Sequence, residues 1–431
     1  MSATARLGRV RSWVGASDAR LLLVVATLLY GLFTLISALL GYEFNGLIRT
    51  LSRITFLTAV YSMLVLALNL QWGYAGLFNL GVAGFMAIGV YTMGILSTAP
   101  SSSPPGLGLP LPIGIVGGVL AATLLGTLAA LPALRLRGDY LAIVTLAFAE
   151  IVRRTIRLEG LREFTLAGAE LGTGGPRGMS LPPNPAEFLL YRDPTALIPE
   201  PNGLGEALFS AGEPLELGPP VIVGAVNAVL LMVVVGLFYL LLTRVGNSPF
   251  GRVLRAIRED EVVASALGKD TRWFKIKTFA LGCALMGVAG ILWRLGGIAS
   301  TGDFIPMTTF YVFVALIIGG AGSNTGSVVG GAVFVSLIFQ GPTFVKRLVT
   351  NFLDIGNAPN TIFEAVGPLG QLDYGPMLAY TFSDVNVAQL RFVLLGVVLI
   401  YLIQNRPEGL LGHRKDVASP IDLSDRGGDD S

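Results

Sequence analysis

Apolar residues in this chain come in long uninterrupted runs. Those at 21–41, 54–70, 75–97, 111–134, 219–243, 278–299 and 392–403 with its flanks approach or exceed the ~20 residues a helix needs to cross a hydrocarbon core. Three further runs, 140–156, 309–320 and 327–340, are shorter or broken, and the last two flank AGSNTGS, whose small and polar residues favour unwound backbone. The pattern predicts an all-α polytopic membrane protein with about ten membrane segments and a possible internal repeat of two halves. It divides into a basic N-terminus (1–20), a transmembrane domain (21–404) and a polar tail (405–431). Loops are expected over 157–218 and 341–388 on one side and over 244–277 on the other. The first run could mimic a secretory signal, but it is longer than the ~7–15 residues of a signal core, so it reads as a retained span.

The stretch 248–277, SPFGRVLRAIREDEVVASALGKDTRWFKIK, is a polar insert that carries helix punctuation. Ser248 can cap a helix with Pro249 at its first position, and Asp260 can cap a second, short helix that stops at Gly268. Val253, Leu254 and Ile257 share one face, while Arg252, Arg255 and Arg258 recur every three residues on another. Two readings stay open. Either this is an interfacial helix whose arginines meet lipid phosphates, or its arginines and Glu259, Asp260 and Glu261 engage a groove on a soluble ATPase. The dipole of the second helix also favours acidic residues at its start.

Charge orients the segments. Residues 244–277 hold eight Lys/Arg against four Asp/Glu, and the N-terminus, 135–139 and the tail are also basic beside the membrane. Positive charge accumulates on the cytoplasmic side, so ten crossings put all four there, with both termini cytoplasmic. The opposite side receives 158–218, with nine Asp/Glu and three Arg, and the net acidic 341–386. Arg153, Arg154 and Arg157 fall on that outer side against the rule. The long outer loops can cover the outer mouth or dock a soluble partner.

Composition narrows the chemistry. Of 431 residues, 53% are hydrophobic and 13% charged, against about 25% charged in soluble proteins. Net charge is +2, and no nucleic-acid partner is expected. A lone cysteine, Cys283, and a lone histidine, His413, exclude an intrachain disulfide and a His/Cys metal cluster, and the place of His413 in the basic tail after the last apolar run argues against a Ser-His-Asp triad. There is no G-x-x-x-x-G-K-[ST] loop, so ATP, if used, binds a separate polypeptide. Glu150 is the main charge within the spans, and pairing with Arg153 or Arg154 at i+3 or i+4 neutralises it more simply than a proton relay would. No catalytic, cofactor or metal residue is assigned.

Asn69, Gln71, Tyr74 and Asn79 cluster around the break between the second and third runs, where they can pack between helices or line a pathway. GYAGLFNLG (73–81) and GGAGSNTG (319–326) share G-x-A-G followed by Asn and Gly. Paired glycine-interrupted segments point to a transport site at a repeat interface, though a glycine-rich chain can produce the match by chance. The candidate pathway residues are Asn69, Tyr74, Gly76, Asn79, Gly322 and Asn324.

LNLQWGYAGLFNLGVAGFMAIGVYTMGIL (68–96), LRLRGDYLAIVTLAFAEIVRR (134–154), GTGGPRGM (172–179), the block 250–292, IIGGAGSNTGSVVGGAV (317–333) and RPEGLLG (406–412) together resemble the branched-chain amino acid ABC transporter permeases of the LivM type. The resemblance implies a prokaryotic plasma (inner) membrane permease, without enzymatic activity or cofactor of its own. Its partners would be a second, LivH-like permease, two cytosolic ABC ATPase subunits that bind ATP, and an extracytoplasmic solute-binding protein. It also implies that 250–277 holds the ATPase-coupling element, with Glu261 and Gly268 at positions similar to the acidic residue and glycine of that motif; the candidate coupling residues are these two with Arg252, Arg255, Arg258, Glu259 and Asp260 of the insert's own charge pattern. The chain departs from the family where Glu261-Val262-Val263-Ala264 replaces the common Glu-Ala-Ala, and where Val82 replaces a histidine found in many relatives. Similar permeases carry urea or short amides, and an ion-coupled carrier dependent on Glu150 is the competing class.

Overall fold

The computed structural model describes residues 18–411 except 134–138, 167, 197, 353–357 and 372. The basic stretch at 135–138, most of the N-terminal segment and His413 with the tail beyond 411 lie outside the described residues.

Uninterrupted apolar sequence becomes helix, because in a membrane each backbone polar group needs a partner within its own segment. The helices that build the bundle and its polar insert are α1 (Asp18–Leu39), α2 (Phe44–Leu68), α3 (Val82–Ser97), α4 (Leu111–Ala133), α5 (Asp139–Ile156), α6 (Pro219–Asn247), α7 (Pro249–Glu259), α8 (Glu261–Ala266), α9 (Thr271–Arg294), α10 (Pro306–Gly319), α11 (Asn324–Val333) and α12 (Asp384–Asn405), and shorter helices lie in the connections. A π-helical turn, Asn69–Tyr74, extends α2 into a 31-residue helix, Phe44–Tyr74. Among the described residues seven helices are long and apolar enough to cross a membrane, and α3 and α10 are shorter apolar helices. These seven with the two shorter ones make an all-α polytopic protein, and α5 is a further 18-residue helix beside them.

Two expected boundaries move. The third run does not become helical until Val82, since 75–81 is irregular, leaving α3 only 16 residues. The run expected as short at 327–340 is instead part of one 29-residue helical stretch, Asn324–Phe352, in which a π-helical turn (Phe334–Gln340) joins α11 to Gly341–Phe352. The outer loop expected from 341 therefore opens with three turns of helix.

α2 is the central post. It is buried without interruption from Ala59 to Leu68, as a helix that is apolar all round must be, and it packs against α6, α9, α10, α11 and α1. α3, α4 and α9 form a second group drawn close by small residues. A Cβ placed on Gly89 would lie 2.9 Å from the Cα of Gly287, so α3 and α9 touch because position 89 is glycine, and a Cβ on Gly287 would in turn meet Ala122 of α4 at 2.9 Å. α1 and α12 are peripheral, with 11% of each apolar window buried.

The two ends of the bundle differ. At one, the connections interlock: Met179–Ser180 pairs antiparallel with Ile298–Ala299, and the Gly172 amide donates to the Pro105 carbonyl at 3.0 Å. At the other lie α7, α8 and both breaks, and Asp18 and Leu411, the first and last described residues, line one cavity. At the loop-rich end Glu150 pairs with Arg153 and Arg154, each at 2.7 Å, so this carboxylate is neutralised locally.

Candidate functional site

The site is built where two helices lose their regular hydrogen bonding. After the π-helical turn the chain turns at Gly76, whose φ is +68°. The second break falls between Gly319 and Asn324. Although 253 residues apart, the two breaks touch. The buried Asn69 accepts from the Gly322 amide at 2.7 Å and donates to the Asn324 side chain at 3.1 Å, and Asn324 donates on to the Thr243 hydroxyl at 3.2 Å. This chain of amides ties α2, α11 and α6 together. A Cβ on Gly73 would stand 2.0 Å from the Asn69 side-chain oxygen and 2.6 Å from the Gly322 nitrogen, so the contact requires glycine there.

Asn79 belongs elsewhere. It donates to Gln71 Oε1 at 2.8 Å and accepts from the Gly81 amide at 2.8 Å, while Gln71 donates to the Phe279 carbonyl at 2.9 Å. All of this is buried, so Asn79 and Gln71 brace the first break against α9 and stand apart from the cluster of Asn69, Gly322 and Asn324.

The polar insert folds onto the same place. Ser248 caps α7 by accepting from the Gly251 amide at 3.4 Å, and Asp260 caps α8 by accepting from Val262 and Val263 at 2.8 and 3.0 Å. Gly268 adopts φ +77° past the end of α8, and Asp270 caps α9, a signal the sequence reading passed over. Leu254 and Ile257 are buried, as their common face implies. Two of the three arginines turn inward. Arg258 donates to the Gly73 carbonyl, and Gly76 packs against the Arg258 stem. Arg255 donates to the Gly246 carbonyl at 3.0 Å and lies over the Tyr74 ring, 5.6 Å from its centroid. Arg252, Glu259 and Asp260 are exposed, and Glu261 pairs with Lys275 of α9. Among these exposed charges the insert also presents apolar side chains: Val262 is 78% exposed and Leu267 73%, and Val263 and Trp273 are exposed too.

Cavities flank the length of α2. At the loop-rich end a cleft of about 730 Å³ is lined by Arg49, Arg53 and Arg347. Midway, an apolar cavity of about 350 Å³ lies among α1, α2, α6 and α11. At the far end a polar cavity of about 490 Å³ is lined by Gly73, Tyr74, Arg255, Arg258 and Gly322. Sequence reasoning missed Gly73 and Thr243 as members of this site. Gly73 stood in the quoted repeat, but only the fold shows what it faces.

A polytopic helical membrane protein with two interrupted helices meeting beside a capped polar insert has the architecture of a membrane permease. The family described as the branched-chain amino acid transport system / permease component matches residues 50–356, and the chain belongs to that family. It is 37% identical over 273 residues to the high-affinity branched-chain amino acid transport system permease protein LivM of Escherichia coli, covering 63% of this chain and 59% of that protein. The probable LivM of Methanocaldococcus jannaschii is 26% identical over 406 residues, 87% of this chain and 96% of its own length. A shorter match, 34% over 94 residues, links 20% of the chain to 28% of the LivH permease of E. coli. The chain thus spans about three fifths of the length of the E. coli LivM, and 61% of its Salmonella typhimurium counterpart at 34% identity. No solved structure matches.

Proposed function

We propose that this chain is a permease subunit of an ABC importer that moves branched-chain or related amino acids across a prokaryotic inner membrane. Residues 50–356 support the substrate class through the family they match. One observation carries the mechanism: Arg258 of the polar insert is bonded to the Gly73 carbonyl, inside the break that also meets Gly322 through Asn69. A displacement of α7 and α8 therefore acts directly on the interrupted helices. The positive-inside pattern puts this end, with both termini, in the cytoplasm. There the exposed apolar patch of Val262, Val263, Leu267 and Trp273 suits a groove on an ABC ATPase, and Arg255 and Arg258 transmit the motion. Two such ATPases, a second LivH-like permease and a solute-binding protein docking on the outer loops complete the importer. Alternating access then follows α2, past the cavities that border it. Such a subunit does no covalent chemistry, and its side chains only bind and release a zwitterion with an aliphatic side chain.

The test is uptake of labelled leucine, isoleucine and valine into proteoliposomes holding the assembled complex. Uptake should require ATP and be competed by aliphatic amino acids but not by urea or acetamide. Uptake driven by an ion gradient without ATP, or competed by urea, would overturn the reading.

A further inference from the structure

The segment 406–411, which follows the last helix and opens the RPEGLLG motif, has no part in the function derived above. It is built against the second break. The chain leaves α12, turns with the Gly409 amide donating to the Arg406 carbonyl at 2.9 Å, and runs alongside the end of α10. There the Leu410 amide donates to the Ile318 carbonyl at 2.8 Å and the Leu411 amide to the Gly319 carbonyl at 2.9 Å. The last carbonyls of a helix have no partner within it, and at an interrupted helix water or another segment must satisfy them. Here a piece of chain some ninety positions away does so. The fit is close, since a Cβ on Gly409 would lie 2.5 Å from the Ile317 carbonyl oxygen and 2.6 Å from the Gly320 nitrogen, at a φ of +76° that also favours glycine. Leu410 and Leu411 then line the polar cavity together with Tyr74, Arg255 and Arg258.

We propose that 406–411 is a positioning strap that holds the Gly320–Ser323 turn against Asn69 and thereby sets the closed form of the cytoplasmic cavity. Three features argue against a mere tail anchor. The strap bonds to the carbonyls of the break, so its grip bears on the turn whose Gly322 amide meets Asn69. It acts through backbone donors, which a change of side chain leaves in place. And α12, little buried along its length, is joined by it to α10, so the two move together when the break moves. The assignment of this end to the cytoplasm, and of the cavity to transport, rests on the function proposed above.

The experiment uses the assembled complex in inside-out membrane vesicles, with Leu21→Cys in α1, whose native side chain lines the cavity, as a thiol reporter. Leu410→Pro removes the donor to Ile318, Leu410→Met keeps it with a side chain of similar size, and Gly409→Val fills the close approach. We expect maleimide labelling of the reporter to quicken at least fivefold in Leu410→Pro and Gly409→Val, with ATP hydrolysis no longer stimulated by substrate, while Leu410→Met stays within twofold of the parent. Equal rates for the proline and methionine variants would overturn the strap. Should the proline variant fail to assemble, hydrogen exchange on the unmutated complex decides. Amides 410 and 411 should be protected at rest, and exchange as fast as in a free tail refutes the proposal. Absence of amino-acid uptake by the parent complex would refute the transport reading instead, while labelling and exchange still judge the strap.

Discussion

Asn69 concentrates the chemistry of the site at the scale of single residues. It is fully buried, and both halves of its amide are used, one on the Gly322 backbone and one on Asn324. Asn69→Leu keeps the size but strands a buried amide donor and a carbonyl acceptor, at about 1–2 kcal/mol each. The variant is expected to lose several degrees of thermal stability in detergent and at least tenfold in uptake. Gly73→Ala should be as damaging although it adds one methyl group, because that methyl has no space between Asn69 and Gly322. Arg258→Gln gives a different outcome. It removes a charge-assisted bond to the Gly73 carbonyl but leaves the buried face of α7 in place, so ATP hydrolysis should persist while uptake falls. Equal loss of both activities would mean that Arg258 is needed only for assembly. Glu150→Gln separates a structural carboxylate from a proton relay: the ion pairs with Arg153 and Arg154 predict uptake close to normal, with a modest loss of stability.

Among the elements, α8 is the most informative. It has six residues and is held by the Asp260 cap and the Glu261–Lys275 pair, while its apolar side chains project outward beyond the membrane-spanning bundle. Exposed aliphatic side chains on a polar loop cost solubility unless something covers them. Leu267→Asp or Val262→Asp should therefore leave the melting temperature of the isolated permease unchanged and abolish co-purification of the ATPase. α7 and α8 were legible in the sequence because a cap works over three residues, and Ser248, Asp260 and Gly268 stand at the positions where caps and stops belong. Which way the arginines point was not legible. Spacing of three places Arg252, Arg255 and Arg258 on one side of a helix, but it cannot say that Arg255 and Arg258 meet the carbonyls of Gly246 and Gly73 while Arg252 stays exposed. The start of α3 and the extension of Asn324–Phe352 were misjudged for a related reason. Both follow π-helical turns, and at the first the displaced Leu80 and Ala83 amides donate to the Thr145 and Thr309 hydroxyls of neighbouring helices, none of which hydropathy registers.

For the molecule as a whole, the packed helices put α7, α8 and both breaks at one end and the interlocked loops at the other. Single cysteines at Leu267 and at Glu200 test this arrangement, since Cys283 is fully buried and should stay silent. A membrane-impermeant maleimide should reach the first only in inside-out vesicles and the second only in intact cells. The reverse result would place the insert outside and remove the mechanical basis of the proposed importer.

The long apolar helices and the capped insert follow from the order of residues, because hydrophobic length and capping act over distances that the chain itself sets. The meeting of Asn69 with Gly322, the brace from Asn79 to α9 and the closure of α10 by residues near the end of the chain were decided only by packing. Each joins partners made adjacent by the close approach of helix backbones at glycine, and no local pattern encodes which glycine faces which.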